Sequence, residues 1–156
     1  MIFNGARLQD LKMVLRAAET IGRGGNVLAL AGRALLSVLF INEGVVQIGD
    51  VAGTMDYVRG FGVWPQLVPL VILVELGGGL LVLFGLATRV AAIGLAVFTL
   101  LAALFFHRDF SDLDQYIHFQ KNLAIAGGFL ALAAYGAGAW SLDAWLAKRA
   151  WKRGLD

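Results

Sequence analysis

The sequence predicts an all-α transmembrane four-helix bundle, with an N-terminal amphipathic helix and a short C-terminal helix lying in the membrane interface. Three observations predict it. The chain of 156 residues is 59% hydrophobic and only 15% charged, with a mean hydropathy of +0.74; an average soluble domain is about 45–50% apolar and about 25% charged. Four stretches approach the roughly 20 apolar residues that a helix needs to cross a bilayer. The lysines and arginines fall mostly on one side of those stretches, as the positive-inside rule requires. One compact unit is expected at this length. The absence of cysteine excludes disulfides, thiolate metal sites and a Cys nucleophile.

The N-terminal stretch, residues 1–26, lacks an apolar h-region and carries Asp10 and Glu19, so it does not read as a cleavable signal. Leu8, Leu11, Leu15 and Ala18 recur at helical spacing with Arg7, Lys12, Arg16 and Glu19 on the other faces, which predicts an amphipathic helix in the cytoplasmic interface. The bundle occupies 27–139. Its spans are expected at about 27–48, 67–87, 90–106 and 119–137, the second and third separated by the Thr88-Arg89 turn. None alternates with period two, which disfavours a transmembrane barrel. Each backbone must satisfy its own hydrogen bonds inside lipid, so helices are the solution.

In the outer loop 49–66, Thr54 is expected to cap one or two helical turns that a glycine break ends, forming a lid over the bundle mouth. In 140–156, Ser141 can cap a helix with Asp143 in its first turn. Trp140, Trp145 and Trp151 among Lys148, Arg149, Lys152 and Arg153 suit a headgroup anchor. The membrane rule accounts for these basic residues, so no nucleic-acid partner is implied. Arg7, Lys12, Arg16, Arg23, Arg89 and the C-terminal four oppose only Arg59, Arg108 and Lys121. Both termini are therefore expected to be cytoplasmic.

Charged side chains within a span cost on the order of 2.5–3.5 kcal/mol and need a reason. Arg33, Ser37, Phe40, Gly44 and Gln47 share one strip of span one, which should face the bundle interior, with Glu43 on its flank. Glu75 lies near the middle of span two. Arg33 and Glu75 differ in depth by only about 8 Å across a core about 30 Å thick, which predicts a buried ion pair. It reads either as a clamp on bundle register or as a ligand or proton site. Gly78 and Gly79 bare the backbone beside Glu75, for close helix approach or as a slot for a flat or extended molecule. Ala92, Ala96, Thr99 and Ala103 of span three, and Ala124, Gly127, Gly128 and Ala131 of span four, read as packing faces. On the outer side, His107 ends span three where Glu43, Lys121 and Asn122 are expected to converge, suited to proton relay or to a quinone carbonyl. The Asp109-to-His118 loop lacks metal-ligand spacing and reads as a solvated acidic loop, with no metal site implied. No soluble-enzyme signature occurs, and no catalytic residue is identified.

The spans carry Gly32-Arg33-x-Leu35-Leu36-Ser37-x-Leu39-Phe40-Ile41, Gly62-Val63-x-Pro65, Glu75-Leu76-x-Gly78-Gly79-x-Leu81, Gly85-x-x-Thr88-Arg89, Phe98-Thr99 through Phe106-His107, Lys121-Asn122-Leu123-Ala124-Ile125 before Gly127-Gly128, and Gly136-x-Gly138-x-x-Ser141-Leu142-Asp143. This series, over roughly residues 27–143, resembles the DoxX family of four-span bacterial membrane proteins. The resemblance implies a bundle in the bacterial inner membrane, with relatives that pass electrons to quinone or associate with redox and stress-defence proteins. Arg33, Glu75, His107, Lys121 and Asn122 match the family's polar positions. Gly44-x-x-Gln47 stands where relatives often carry a glycine followed by a lysine, which argues against an anionic substrate at the outer mouth.

Three function classes follow: an auxiliary, non-catalytic subunit of a redox or energy-transducing complex; a subunit binding quinone or another small lipid at Arg33 and Glu75; and a small proton-coupled transporter using Glu43 and Glu75. The first is expected to lead, since no cofactor motif is present and two peripheral helices offer anchorage to partner subunits or to a second copy. The last is weakest, because no inverted repeat or broken helix pair is evident. No covalently held cofactor is implied; a bound quinone or lipid is the ligand class expected.

Overall fold

Helix α1 runs unbroken from Gly5 to Gly49, roughly 68 Å at 1.5 Å per residue. The structure, a computed structural model, describes the backbone of residues 5–154 and the side chains of Met13 and residues 24–154. No break separates an interfacial helix from the first span near residue 26: the helix continues through Gly24 and Gly25. Each glycine costs a helix only about 1 kcal/mol, and no proline is there to stop it. The side-chain pattern expected for Leu8, Leu11, Leu15 and Ala18 lies outside the described residues.

Asp50 then starts α2 (Val51–Gly60), its carboxylate accepting from the Gly53 N–H at 2.8 Å. The cap expected at Thr54 therefore belongs to Asp50, and Thr54 Oγ1 instead donates to the Asp50 carbonyl at 2.8 Å. With 10 residues, α2 is longer than the one or two turns expected. The second span opens on a 3-10 turn, Pro65–Leu67, and continues as α3 (Val68–Ile72), a π-helical turn (Leu73–Gly77) and α4 (Gly78–Phe84). Gly85, at φ +68°, reverses the chain. Helices α5 (Thr88–Phe106), α6 (Leu113–Tyr135) and α7 (Leu142–Arg153) follow.

Among the described residues three stretches are long and apolar enough to cross a membrane: Gly24–Gly49, Pro65–Phe84 and Thr88–Phe106. The fourth expected crossing is α6, which begins at Leu113 rather than near 119, so Asp114, His118 and Lys121 belong to the helix itself. It packs antiparallel along α5. Arg89, at the start of α5, reaches the carbonyls of Ala133 and Ala134, while His107, just past its end, meets Gln115. A partner that flanks a spanning helix from end to end occupies the same layer.

Packing separates an inner face from an outer one. Phe40, Val82, Ala91, Ala92, Leu95, Ala96 and Phe129 form the core, with Phe40 edge-on to Phe129 (ring centres 5.2 Å apart). The strip Arg33, Ser37, Phe40 and Gly44 faces inward as expected, and so does Ala92, Ala96, Thr99 and Ala103. Span four differs: Ala124, Gly127 and Ala131 are exposed, and α6 turns Ala126 and Phe129 to the core instead. Phe129 takes the interior with Ala126, Gly128 stays half-buried against Leu36, and Ala124, Gly127 and Ala131 are left outside. Leu35, Val90, Leu73 and Leu104 point outward and are more than half exposed. That surface suits acyl chains, against which leucine loses nothing.

Helix α1 closely approaches the π turn and α4 of the second span. A Cβ on Gly44 would lie 2.8 Å from Leu76 Cβ, and one on Gly79 would lie 2.9 Å from Ile41 Cγ1. Close contact of this kind is how helices hold together in lipid, where apolar burial gives no net drive.

Candidate functional site

Arg33 and Glu75, expected to pair, do not meet. The Cα–Cβ bonds of a helix tilt toward its own N-terminus. Helix α1 and the second span run in opposite directions, so Arg33 leans toward the end of the bundle carrying the Gly85 turn and α7, and Glu75 toward the end carrying α2 and the 107–112 loop. The depth gap therefore widens instead of closing. Two separate polar centres result.

At the α7 end, Arg33 is 1% exposed and its Nη2 donates to the Trp140 carbonyl at 2.6 Å, while its Nε and Nη1 have no hydrogen-bond partner among the described residues. Ser37, fully buried, donates to the Arg33 carbonyl one turn back. Asp143 is the principal group that the sequence did not single out for this role. Its carboxylate accepts from the Ala87 and Thr88 N–H groups at 2.8 and 3.0 Å, capping α5 from another helix, and its own N–H donates to the Gly85 carbonyl at 2.8 Å. Burial pushes the Asp143 carboxyl up, but the Thr88 and Ala87 N–H groups and the nearby Arg33 guanidinium outweigh it and hold the group below its ordinary value. Ser141 caps α7 as expected, accepting from the Ala144 N–H at 3.2 Å. The Ala139 N–H donates to Asn26 Oδ1 at 3.0 Å. This centre ties α7 to α1 and to the Gly85 turn, and an open cleft of about 400 Å³ lies beside it, lined by Thr88, Arg89, Ser141 and Asp143.

The other centre is a cavity. Glu75, 7% exposed, sits inside the π-helical turn and accepts a 2.6 Å hydrogen bond from Gln47 Nε2. A π turn inserts one residue into an α-helical register and recurs at functional sites. Around Glu75 a cavity of about 420 Å³ opens among apolar side chains of the second span and α5, with Tyr57 and Val58 of α2 and Trp64 at its loop end. A second cavity of about 380 Å³ lies toward α6 and is lined by His118, Lys121 and Asn122. Glu43, Glu75, Phe98, Ala102 and His107 border both.

The structure thus brings together Glu43, Gln47, Glu75, His107, Lys121 and Asn122, and leaves Arg33 and Ser37 at the other end. It offers no slot at Gly78 and Gly79: a Cβ on Gly78 would lie 3.0 Å from Leu95, and Gly79 abuts Ile41. Both glycines serve helix contact. His107 Nδ1 is 2.8 Å from Gln115 Oε1, and its ring stacks on His118 with centres 4.9 Å apart. Tyr57, Phe61 and Phe106 form an aromatic cluster that ties α2 over the cavity. In the 107–112 loop, Asp109 binds the Ser111 side chain and N–H, which hold its carboxyl below the ordinary range, and Asp112 caps α6. Among the described residues no group of three or more His, Cys, Asp or Glu side chains is placed to hold a metal ion.

An apolar chamber and a polar chamber meeting at a buried carboxylate can seat an amphipathic molecule, its polar head at Glu75, Gln47 and His107 and its body among Val74, Leu101 and Phe105.

Comparison with known proteins places the chain. Residues 28–108 match the family model described as DoxX. The inner membrane protein YqjF of Escherichia coli K12 is 48% identical over 120 residues, covering 77% of this chain and 92% of that protein. The inner membrane protein YphA of the same organism is 32% identical over 129 residues, covering 78% and 92%. No solved structure matches. The matched region runs from the first span through the end of α5, includes both Arg33 and Glu75, and establishes that this chain belongs to the DoxX family of membrane proteins.

Proposed function

We propose that this protein is a bacterial inner-membrane subunit that binds a small amphipathic molecule of the quinone class beside Glu75, within a redox or energy-transducing assembly, with both termini in the cytoplasm. One observation carries the reading: a carboxylate 7% exposed, held by Gln47, stands where an apolar and a polar cavity meet. A quinone ring offers carbonyl oxygens to protonated or N–H donors and an apolar body to the larger chamber. His107, Lys121 and Asn122 provide such donors on the polar side. The pocket expected at Arg33 and Glu75 moves accordingly to Glu75, Gln47, Glu43 and His107. The distribution of Lys and Arg supports the orientation, and the two similar E. coli proteins support the location.

Purification from native membranes, followed by extraction and quantification of isoprenoid quinone, tests the proposal. The wild type should retain quinone in stoichiometric amount, and Glu75→Gln and Gln47→Leu should each lower it at least fivefold. Equal retention in all three would overturn it. An auxiliary role that holds partner subunits is the second reading. It is favoured by the exposed small residues Ala124, Gly127 and Ala131 on α6, which permit close approach of another helix. Co-purified subunits lost on Gly127→Leu would support it.

A further inference from the structure

We propose that α7 carries a binding site for an anionic phospholipid headgroup, formed by Trp145, Lys148, Arg149, Trp151 and Lys152. Four observations lead there. First, α7 is fixed at membrane-boundary depth: Asp143, in its first turn, is hydrogen-bonded to Gly85, Ala87 and Thr88, the turn at which the spans Pro65–Phe84 and Thr88–Phe106 end and begin. Second, beyond that attachment α7 has no buried residue, and Trp145 and Trp151 are 46% and 71% exposed, so among the described residues no other element covers it. Third, Lys148, Arg149 and Lys152 fall with Trp145 on one side of the helix, at the i+3, i+4 and i+7 positions counted from Trp145. Fourth, these side chains border an open surface groove of about 570 Å³ with indole and cationic groups side by side, and the Arg149 guanidinium lies 3.8 Å over the Trp145 ring.

Each feature matches one part of a headgroup. A phosphodiester takes charge-assisted hydrogen bonds from Lys and Arg. Indole prefers the boundary between acyl chain and water, where its N–H stays hydrated. The Arg149–Trp145 contact pre-orients the guanidinium and so reduces the ordering that binding requires. A protein partner would gain little from so short a helix with so polar a rim. A lipid headgroup is supplied by the membrane at this very depth. The site is separate from the Glu75 cavity and stands whether or not that cavity binds quinone.

The test uses the full chain, delipidated in neutral detergent and titrated with phosphatidylglycerol or with phosphatidylcholine of the same acyl chains. Native mass spectrometry counts the lipids retained. Each basic side chain near an anionic surface contributes roughly fivefold, so the wild type should retain phosphatidylglycerol at least tenfold over phosphatidylcholine. The triple variant Lys148→Gln, Arg149→Gln, Lys152→Gln should fall to less than about twofold with an unchanged unfolding midpoint. Trp145→Ala, which keeps every charge, should lose part of the preference. Absence of preference in the wild type, or its persistence in the triple variant, overturns the proposal. So does a co-purified protein that the triple variant loses while its lipid preference is unaltered.

Discussion

Gly44→Ala should destabilise the bundle although alanine is the better helix former. The new Cβ would lie 2.8 Å from Leu76 Cβ, 3.0 Å from the Leu76 N and 3.1 Å from its Cα. Two of these are backbone atoms and cannot rotate away. Helix α1 and the second span must therefore separate by several tenths of an ångström, and packing contacts fall off steeply over such a gap. Overpacking costs about 1–3 kcal/mol; replacing glycine within a helix returns up to about 1 kcal/mol. With the middle of the first range and the full return of the second, the net expectation is a loss of about 1 kcal/mol. Gly127→Ala is the matched control, since nothing lies within 4 Å of its missing Cβ, and it should gain up to about 1 kcal/mol. Reversible unfolding in mixed micelles with rising dodecyl sulfate, followed by tryptophan fluorescence, reads both. The two variants should shift in opposite directions. Gly44→Ala as stable as Gly127→Ala would refute the close approach of α1 and the second span, and with it the geometry that brings Gln47 to Glu75.

Further outcomes follow from the two polar centres. Asp143 stabilises the fold through its ionised form, because its carboxyl is held below the ordinary value near 3.8. That contribution is full above the ordinary value and is lost as pH falls from there through the lower folded value. Asp143→Asn should weaken the attachment of α7 at neutral pH and flatten this acid limb, read as an earlier fluorescence change of Trp140 and Trp145 on unfolding. The chain contains no cysteine, so single cysteines report topology without background. A cysteine at Asp112 should react with an impermeant maleimide in intact spheroplasts, and one at Gly154 only after lysis. The reverse pattern would invert the orientation.

The fold was legible because lipid imposes a coarse rule. Apolar length, the period of small residues on span three and the asymmetry of Lys and Arg together announce helices that must bundle. The inward strip of Arg33, Ser37, Phe40 and Gly44 followed from the same logic, since lipid offers a charge no partner. What failed was pairing at finer scale. Depth along two antiparallel helices is set by Cα position, but side chains lean toward their own N-termini, and this drew Arg33 and Glu75 apart. On α6 the small residues looked like a packing face; Gly128 packs on Leu36, but Phe129 and Ala126 took the interior and left Ala124, Gly127 and Ala131 outside. Asp143 looked like a first-turn residue of α7; sequence gave no sign that it also caps α5, because that cap joins residues 55 or more apart in the chain. The convergence of Glu43, His107, Lys121 and Asn122 was readable, because each sits toward the same side of the bundle in the order of the spans. The π turn at Glu75 was not, since a local widening of the helix leaves no periodic signature.

The most direct test of the central claim, that an amphipathic ligand lies beside Glu75, is photolabelling in native membranes with an azido-quinone, followed by peptide mapping. Adducts should concentrate between Trp64 and Val74 and between Phe98 and His107, and should be displaced by unmodified quinone. Labelling spread over the lipid-facing residues of all the helices, or left unchanged by competitor, would contradict it.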